Sequence, residues 1–166
     1  MNLKDNTLRD YKRINVLGSP GSGKSTLSQT LSKFLGIKVY DLDDYLYDNE
    51  CKRLNADLSK QSIVKLLHND SFIIDGTYTT TFSDRLSYLD LVIIVERTTI
   101  SSLFTFSKRY LFKSNLKCGE KFTWKTLNLI FIFNSKTKPL LIDKSLNAGV
   151  KLALYNRKNN ELQWLN

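Results

Sequence analysis

The stretch Gly18-Ser19-Pro20-Gly21-Ser22-Gly23-Lys24-Ser25-Thr26 fits the pattern G-x-x-x-x-G-K-[ST] at every fixed position, and it constrains the chain more than any other segment. Ile14-Asn15-Val16-Leu17 ahead of it reads as a short apolar strand. Behind it Leu27, Thr30, Leu31, Phe34 and Leu35 recur at helical spacing until Gly36. Strand, glycine-rich loop and helix in that order make a cradle of inward-pointing N–H groups at a helix N-terminus, which suits a chain of phosphates.

In this loop Lys24 reaches the outer phosphates as a mobile point charge, and the Ser25 hydroxyl is placed to ligand magnesium. Gly18, Ser19, Gly21, Ser22, Gly23, Lys24, Ser25 and Thr26 form the expected nucleotide-binding set, Thr26 as a residue of the following helix. Pro20 fits a loop position that can do without an N–H.

Further along, Ile37 to Tyr40 reads as a second strand running into Asp41-Leu42-Asp43-Asp44. Alternation puts Asp41 and Asp43 on one side of an extended chain end, suited to a metal-water shell or a substrate hydroxyl; an acidic turn cap is the plainer alternative. Residues 45–58 lack a clear period, and Tyr45, Leu46 and Tyr47 fit either a pocket wall or the core. Ser59 to Asn69 reads as a helix capped by Ser59, with His68 at its polar end. Ser71 to Gly76, apolar over Phe72-Ile73-Ile74, reads as a central third strand. Its terminal carboxylate, Asp75, is where a magnesium-supporting residue is expected.

Residues 77–89 are polar and include Arg85; Leu91 to Val95 is a fourth strand, with Glu96 and Arg97 at its exit. From Thr98 the pattern is helical up to Arg109, whose planar donors would enter over a phosphoryl group from a basic lid at about 109–122. Helices over Trp124–Phe133 and Pro139–Leu146, a fifth strand over Val150–Tyr155 and a closing helix over Asn160–Leu165 complete the expectation. Strands alternating with helices argue for a parallel sheet covered on both faces.

Composition narrows the class. With 166 residues and 42% apolar content, one domain with one sizeable core is expected. Cys51 and Cys118 lie far apart with no C-x-x-C partner, which reads as reduced thiols in a cytoplasmic protein. No apolar run is long enough for a membrane span or a signal peptide. The net charge of +9 is unevenly placed. Residues 98–142 carry Lys108, Arg109, Lys113, Lys117, Lys121, Lys125, Lys136 and Lys138 against Glu120 alone. Such a region neutralises phosphate charge, binds nucleic acid, or is a solvated helix face.

Four stretches, INVLGSPGSGKSTLS at 14–28, VYDLDDYLY at 39–47, FIIDGTYTTTFSDRL at 72–86 and LVIIVERTTISSLFTFSKRYL at 91–111, resemble the adenylate-kinase-like phosphate-loop proteins. Within them the chain resembles the bacterial group named DNA topology modulation proteins. The resemblance implies a three-layer P-loop NTPase fold: an α/β, nucleoside monophosphate kinase-like domain with a five-stranded parallel sheet in the order 2-3-1-4-5 and a lid. It implies that Asp43 and Arg85 face the acceptor, that Asp75 supports Mg2+, that Arg109 touches phosphates, and that Asn156 and Arg157 lie near the nucleotide base.

The expected activity is transfer of the terminal phosphoryl of Mg-ATP to a small-molecule acceptor. Lys24, Arg109 and Asp43 are the catalytic candidates, with Asp41 beside Asp43 and Arg85 at the acceptor. The alternative is a nucleotide-dependent DNA-binding protein with little or no transfer. A monomer or weak homodimer is expected.

Overall fold

A computed structural model describes residues 6–48, 50–111 and 123–165. The described strands form one six-stranded sheet in the order β2-β3-β1-β4-β5-β6. Its members are β1 (Arg13–Leu17), β2 (Val39–Asp41), β3 (Phe72–Asp75), β4 (Leu91–Glu96), β5 (Lys151–Asn156) and β6 (Glu161–Leu165). The first five in that order are parallel and β6 is antiparallel to β5. β3 is buried along its whole length and β4 along all but its last residue, as strands covered on both faces must be.

Helices cover both sides. Leu27 and Leu31 of α1 (Lys24–Leu35) pack with Ile14, Val16, Ile73 and Ile93. On the other face α3 (Ala56–Leu67), α4 (Thr79–Leu86) and α7 (Lys138–Asn147) bring Ile63, Leu66, Phe82 and Leu141 against Leu17, Ile74 and Ile94. Odd and even strand positions thus serve two cores, which is the period-2 rule at work. A short α2 (Asp43–Leu46) follows β2, and α5 (Thr99–Leu111) and α6 (Trp124–Ile132) complete the set. No described helix is long and apolar enough to cross a membrane.

Several expectations are corrected. The closing helix over Asn160–Leu165 is instead β6, so the sheet gains a sixth strand at the edge. The reason is local. Asn156 Oδ1 accepts from Lys158 N at 2.9 Å, Tyr155 Oη donates to Asn160 Oδ1 at 2.8 Å, and Asn160 takes a left-handed φ of 57°. These bonds close a hairpin turn. Leu162 and Trp164 then alternate inward, Trp164 stacking on Tyr11 with ring centroids 5.6 Å apart.

The α3 cap is Asn55, whose side chain accepts from Asp57 N; Ser59 lies buried inside the helix. The polar run after β3 folds as α4, which periodicity did not announce. The two helices expected at 124–146 are joined by a π-turn (Phe133–Thr137) into one bent run. Pro139 in the first turn of α7 has no N–H for the preceding carbonyls.

Cys51 is disulfide-bonded, contrary to the reduced thiol expected, because spacing along a chain carries no information on approach through space. Cys118 and the lid expected at 109–122 lie outside the described residues, apart from Arg109 to Leu111 at the end of α5.

Arg13 and Asp90 fasten the bottom of the sheet. The guanidinium meets Asp90 Oδ1 at 2.7 and 3.1 Å, while Oδ2 accepts from the Arg13 and Lys12 amides at 2.9 and 3.1 Å. Burial acts to raise the Asp90 carboxyl, and these four donors outweigh it, so it lies below its ordinary value.

Candidate functional site

The phosphate loop sits where β1 ends. Gly21 and Gly23 carry φ of 77° and 100°, and Ser22 N closes the turn onto Ser19 O at 3.1 Å. α1 starts directly at Lys24, and its N-cap, Gly23, makes no side-chain cap bond. Its first-turn N–H groups therefore have no competing side-chain cap and are open to an anion. A Cβ on Gly21 would stand 2.4 Å from the Ser102 carbonyl, and one on Gly23 would stand 1.6 Å from Arg157 Nη1, so the loop has no room for larger residues.

Two guanidiniums hold the loop from outside. Arg97 Nη1 donates to Gly21 O and Arg157 Nη1 to Ser22 O, each at 2.9 Å. In a trans peptide the C=O and the next N–H point opposite ways. Pulling the Ser22 carbonyl outward thus turns the Gly23 N–H to the other side, towards the cradle. Burial, followed by the like charge of Arg157, lowers the Arg97 guanidinium from its ordinary value. An anion nearby relieves that repulsion.

From inside, Lys24 Nζ donates to Ser19 O at 3.1 Å, and Ser19 Oγ to Ser102 Oγ at 3.1 Å. Ser22 Oγ is buried without a hydrogen-bond partner among the described residues. Ser25 is half-buried and Thr26 exposed on α1.

β3 delivers the second half of the site. Its register sets Asp75 opposite both Val16 and Asp41, so the ends of β1, β2 and β3 come level. Thr77 Oγ1 donates to Gly18 O at 2.7 Å and accepts from Gly18 N at 3.1 Å, fastening the β3 exit to the loop. Asn15, a polar residue in the middle of β1, donates from Nδ2 to the carbonyls of Ile74 and Gly76.

Asp41 Oδ1 accepts from the Asp43 amide at 3.1 Å. The two carboxylates are neighbours as expected, with Asp43 opening α2 rather than continuing an extended chain. A cavity of about 620 Å3 takes in Lys24, Asp41, Asp43, Asp75, Tyr47 and Tyr78. Tyr47 therefore walls a pocket, while Tyr45 and Leu46 pack against the core.

A second cavity of about 580 Å3 opens at the exits of β4 and β5, lined by Arg97, Ser101, Asn134, Asn156 and Arg157. Glu96 also lines it and pairs with Lys138. Asn156 and Arg157 thus lie beside the phosphate loop, on the side away from Asp41 and Asp43.

Two candidates are placed differently from the rest. Arg85, in the last turn of α4, is fully buried and is not among the described residues lining either cavity. Its Nη2 donates to the carbonyls of Thr77 and Tyr78 at 3.1 and 3.4 Å, Nε and Nη1 have no hydrogen-bond partner among the described residues, and burial pushes it down to about 9. Arg109, in the last turn of α5, likewise lines neither cavity among the described residues. Sequence reasoning left Arg97 open and missed Thr77, Tyr78 and Asn15. Asn15 alone carried a sequence signal, as a polar residue inside an apolar strand.

A phosphate loop after the first strand of a largely parallel sheet, with acidic residues at neighbouring strand ends, defines an α/β protein of the P-loop kinase-like fold. Solved structures agree on that fold. Shikimate kinase from Bacteroides thetaiotaomicron superposes with a TM-score of 0.58 at 14% identity, covering 88% of this chain and 86% of that one. A protein provisionally assigned as a fructose transport system kinase from Silicibacter sp. TM1040 gives a TM-score of 0.53 at 17% identity, covering 79% and 88%.

Among curated sequences, the pentafunctional AROM polypeptide of Candida tropicalis is 43% identical over 54 residues, and that of Scheffersomyces stipitis 35% identical over 69. Those alignments take in 31% and 32% of this chain, which spans about 4% of either relative's length. No protein-family model matches the chain.

Proposed function

We propose that the protein is a phosphotransferase that moves the terminal phosphoryl group of ATP onto a hydroxyl of a small-molecule acceptor. The observation that carries this reading is the single cavity shared by Lys24 of the phosphate loop and the carboxylates Asp41, Asp43 and Asp75. The donor set fits the phosphates: glycine-lined amides, an uncapped helix N-terminus and a lysine that can leave the Ser19 carbonyl. Ser25 and Asp75 would hold Mg2+, which supplies charge neutralisation on the phosphate oxygens.

Asp43 accepts the proton of the acceptor hydroxyl as its oxygen bonds to the terminal phosphorus. The bond from that phosphorus to the bridging oxygen breaks, ADP leaves, and the proton passes from Asp43 to water. Lys24 carries the charge on the transferring oxygens, with Arg109 of α5 as the second cation assigned to them. Asn156 and Arg157 line the base side, and Arg85 supports the acceptor side from beneath. Kinases named for shikimate and a fructose transport system share the fold, which supports a hydroxylated acceptor.

The test is a transfer screen with magnesium and ATP against nucleosides, nucleoside monophosphates and small hydroxylated metabolites. Lys24→Ala is the control, expected to lose on the order of 3 kcal/mol of transition-state stabilisation. Full turnover by that variant would sink the phosphate-loop assignment. The DNA topology modulation reading would draw on basic residues such as Lys108, Lys125 and Lys136, which are exposed. Steep loss of DNA affinity between low and physiological salt would move the assignment there.

A further inference from the structure

Tyr78 stands three residues past the end of β3 and lines the acceptor-side cavity, with a positive φ of 20° that side chains seldom adopt. Its hydroxyl donates a hydrogen bond to Asp43 Oδ1. Burial, then the hydrogen bond and charge of Asp43, with Tyr47 adding to them, push the phenol well above its ordinary value. Tyr78 is therefore a neutral donor across the physiological range and does not take the proton that Asp43 receives.

The backbone that presents this phenol is held from two sides. Arg85 Nη2 bonds the carbonyls of Thr77 and Tyr78 from below, and the Thr77 hydroxyl is tied to both backbone groups of Gly18. A chain of hydrogen bonds thus runs from the phosphate loop through the 77–78 turn to Asp43.

An aspartate needs such a hold. Its terminal torsion has broad, shallow preferences, so the carboxylate oxygens of an untethered Asp43 would sweep through a range of directions. Asp41 fixes the Asp43 backbone by accepting its N–H, and the phenol fixes the carboxylate. We propose that Tyr78 is a positioning residue that locks the Asp43 carboxylate in the orientation the acceptor hydroxyl meets. The inference rests on the phosphotransfer reading above. It assigns the strained turn after β3 a purpose that the motif residues do not explain: the unusual φ aims the phenol at the base.

The experiment is a double-mutant cycle on transfer to the acceptor identified in the screen, with wild type, Tyr78→Phe, Asp43→Asn and the double variant. Titration with a fluorescent ATP analogue and urea unfolding are run on all four. Tyr78→Phe is expected to lower kcat/KM for the acceptor by about ten- to a hundredfold, the scale of a misplaced catalytic group. Its ATP affinity is expected to stay within about twofold of wild type.

In the Asp43→Asn background the same change should cost nothing further, because the phenol then has no base to orient. Wild-type rates for Tyr78→Phe, or a loss that adds in full to that of Asp43→Asn, overturns the proposal. So does a Tyr78→Phe protein that fails to fold while Asp43→Asn folds, since the hydroxyl would then serve the fold independently of Asp43. A wild type that binds ATP and transfers to no acceptor is a different result, which overturns the phosphotransfer reading itself.

Discussion

Arg157 Nη1 donates to the carbonyl oxygen of Ser22 at 2.9 Å, tying the exit of β5 to a loop 135 positions earlier in the chain. The bond orients the Ser22–Gly23 peptide, so its value lies in what the Gly23 amide offers a phosphate. Arg157→Ala should weaken ATP binding by about tenfold, or roughly 1.4 kcal/mol, with the acceptor KM unchanged. Isothermal titration with ATP in magnesium checks it; equal affinities would mean that the loop holds its shape without the arginine.

Gly21 and Gly36 share a left-handed backbone but not an environment. A Cβ at Gly21 meets the Ser102 carbonyl at 2.4 Å, a backbone atom that cannot swing aside, whereas one at Gly36 meets nothing within 4 Å among the described residues. Gly36→Ala should therefore cost about 1 kcal/mol, the conformational penalty alone. Gly21→Ala should cost about 2–4 kcal/mol, with strain added by displacing the start of α5. Urea denaturation of both variants separates the two terms, and equal losses would mean the loop moves freely against α5.

Arg85 makes alkaline stability depend on a buried group. Its native value, pushed down by burial to about 9, lies well below that of an arginine in the unfolded chain. Between these values the unfolded chain binds more protons, so stability rises with pH there; below about 9 both states are protonated and the burial penalty is present in full. Relative to Arg85→Met, the wild type should gain about 1 kcal/mol between pH 8.5 and 10. Urea midpoints across that range test it, and parallel curves would mean that the guanidinium stays charged throughout.

Asp90 works in the acid direction. Burial raises its carboxyl, the Arg13 side chain and the Arg13 and Lys12 amides lower it further than that, and the native value ends below that of the unfolded chain. Its stabilisation is therefore complete above the ordinary carboxylate range and disappears as pH falls through the depressed native value. Asp90→Asn should be about 1 kcal/mol less stable at pH 7, discounted for solvent exposure, and the gap should close in acid. Thermal melts at pH 7 and pH 3 measure this, and a gap that persists at pH 3 would point to packing.

Much of the fold was legible because its cues are local. G-x-x-x-x-G-K-[ST] after an apolar strand, the all-apolar Phe72-Ile73-Ile74 and the Gly36 stop are each decided within a few residues, and each forms as read. The edge hairpin was not legible by helical periodicity. Leu162, Trp164 and Leu165 fit a helix or a strand over so short a span, and the asparagine-rich turn before them and the open edge of β5 decide it.

At the candidate site, the sequence by itself determined which residue types could cradle phosphate and which carboxylates end strands, because those follow from motif and from alternation along one segment. Only the tertiary structure decided that Arg97 and Arg157 grip the loop, that Arg85 is buried against the Thr77 carbonyl, and that the Tyr78 hydroxyl bonds Asp43. These contacts join residues brought together by strand order and parallel register, and a one-dimensional pattern carries no record of which strand ends lie side by side.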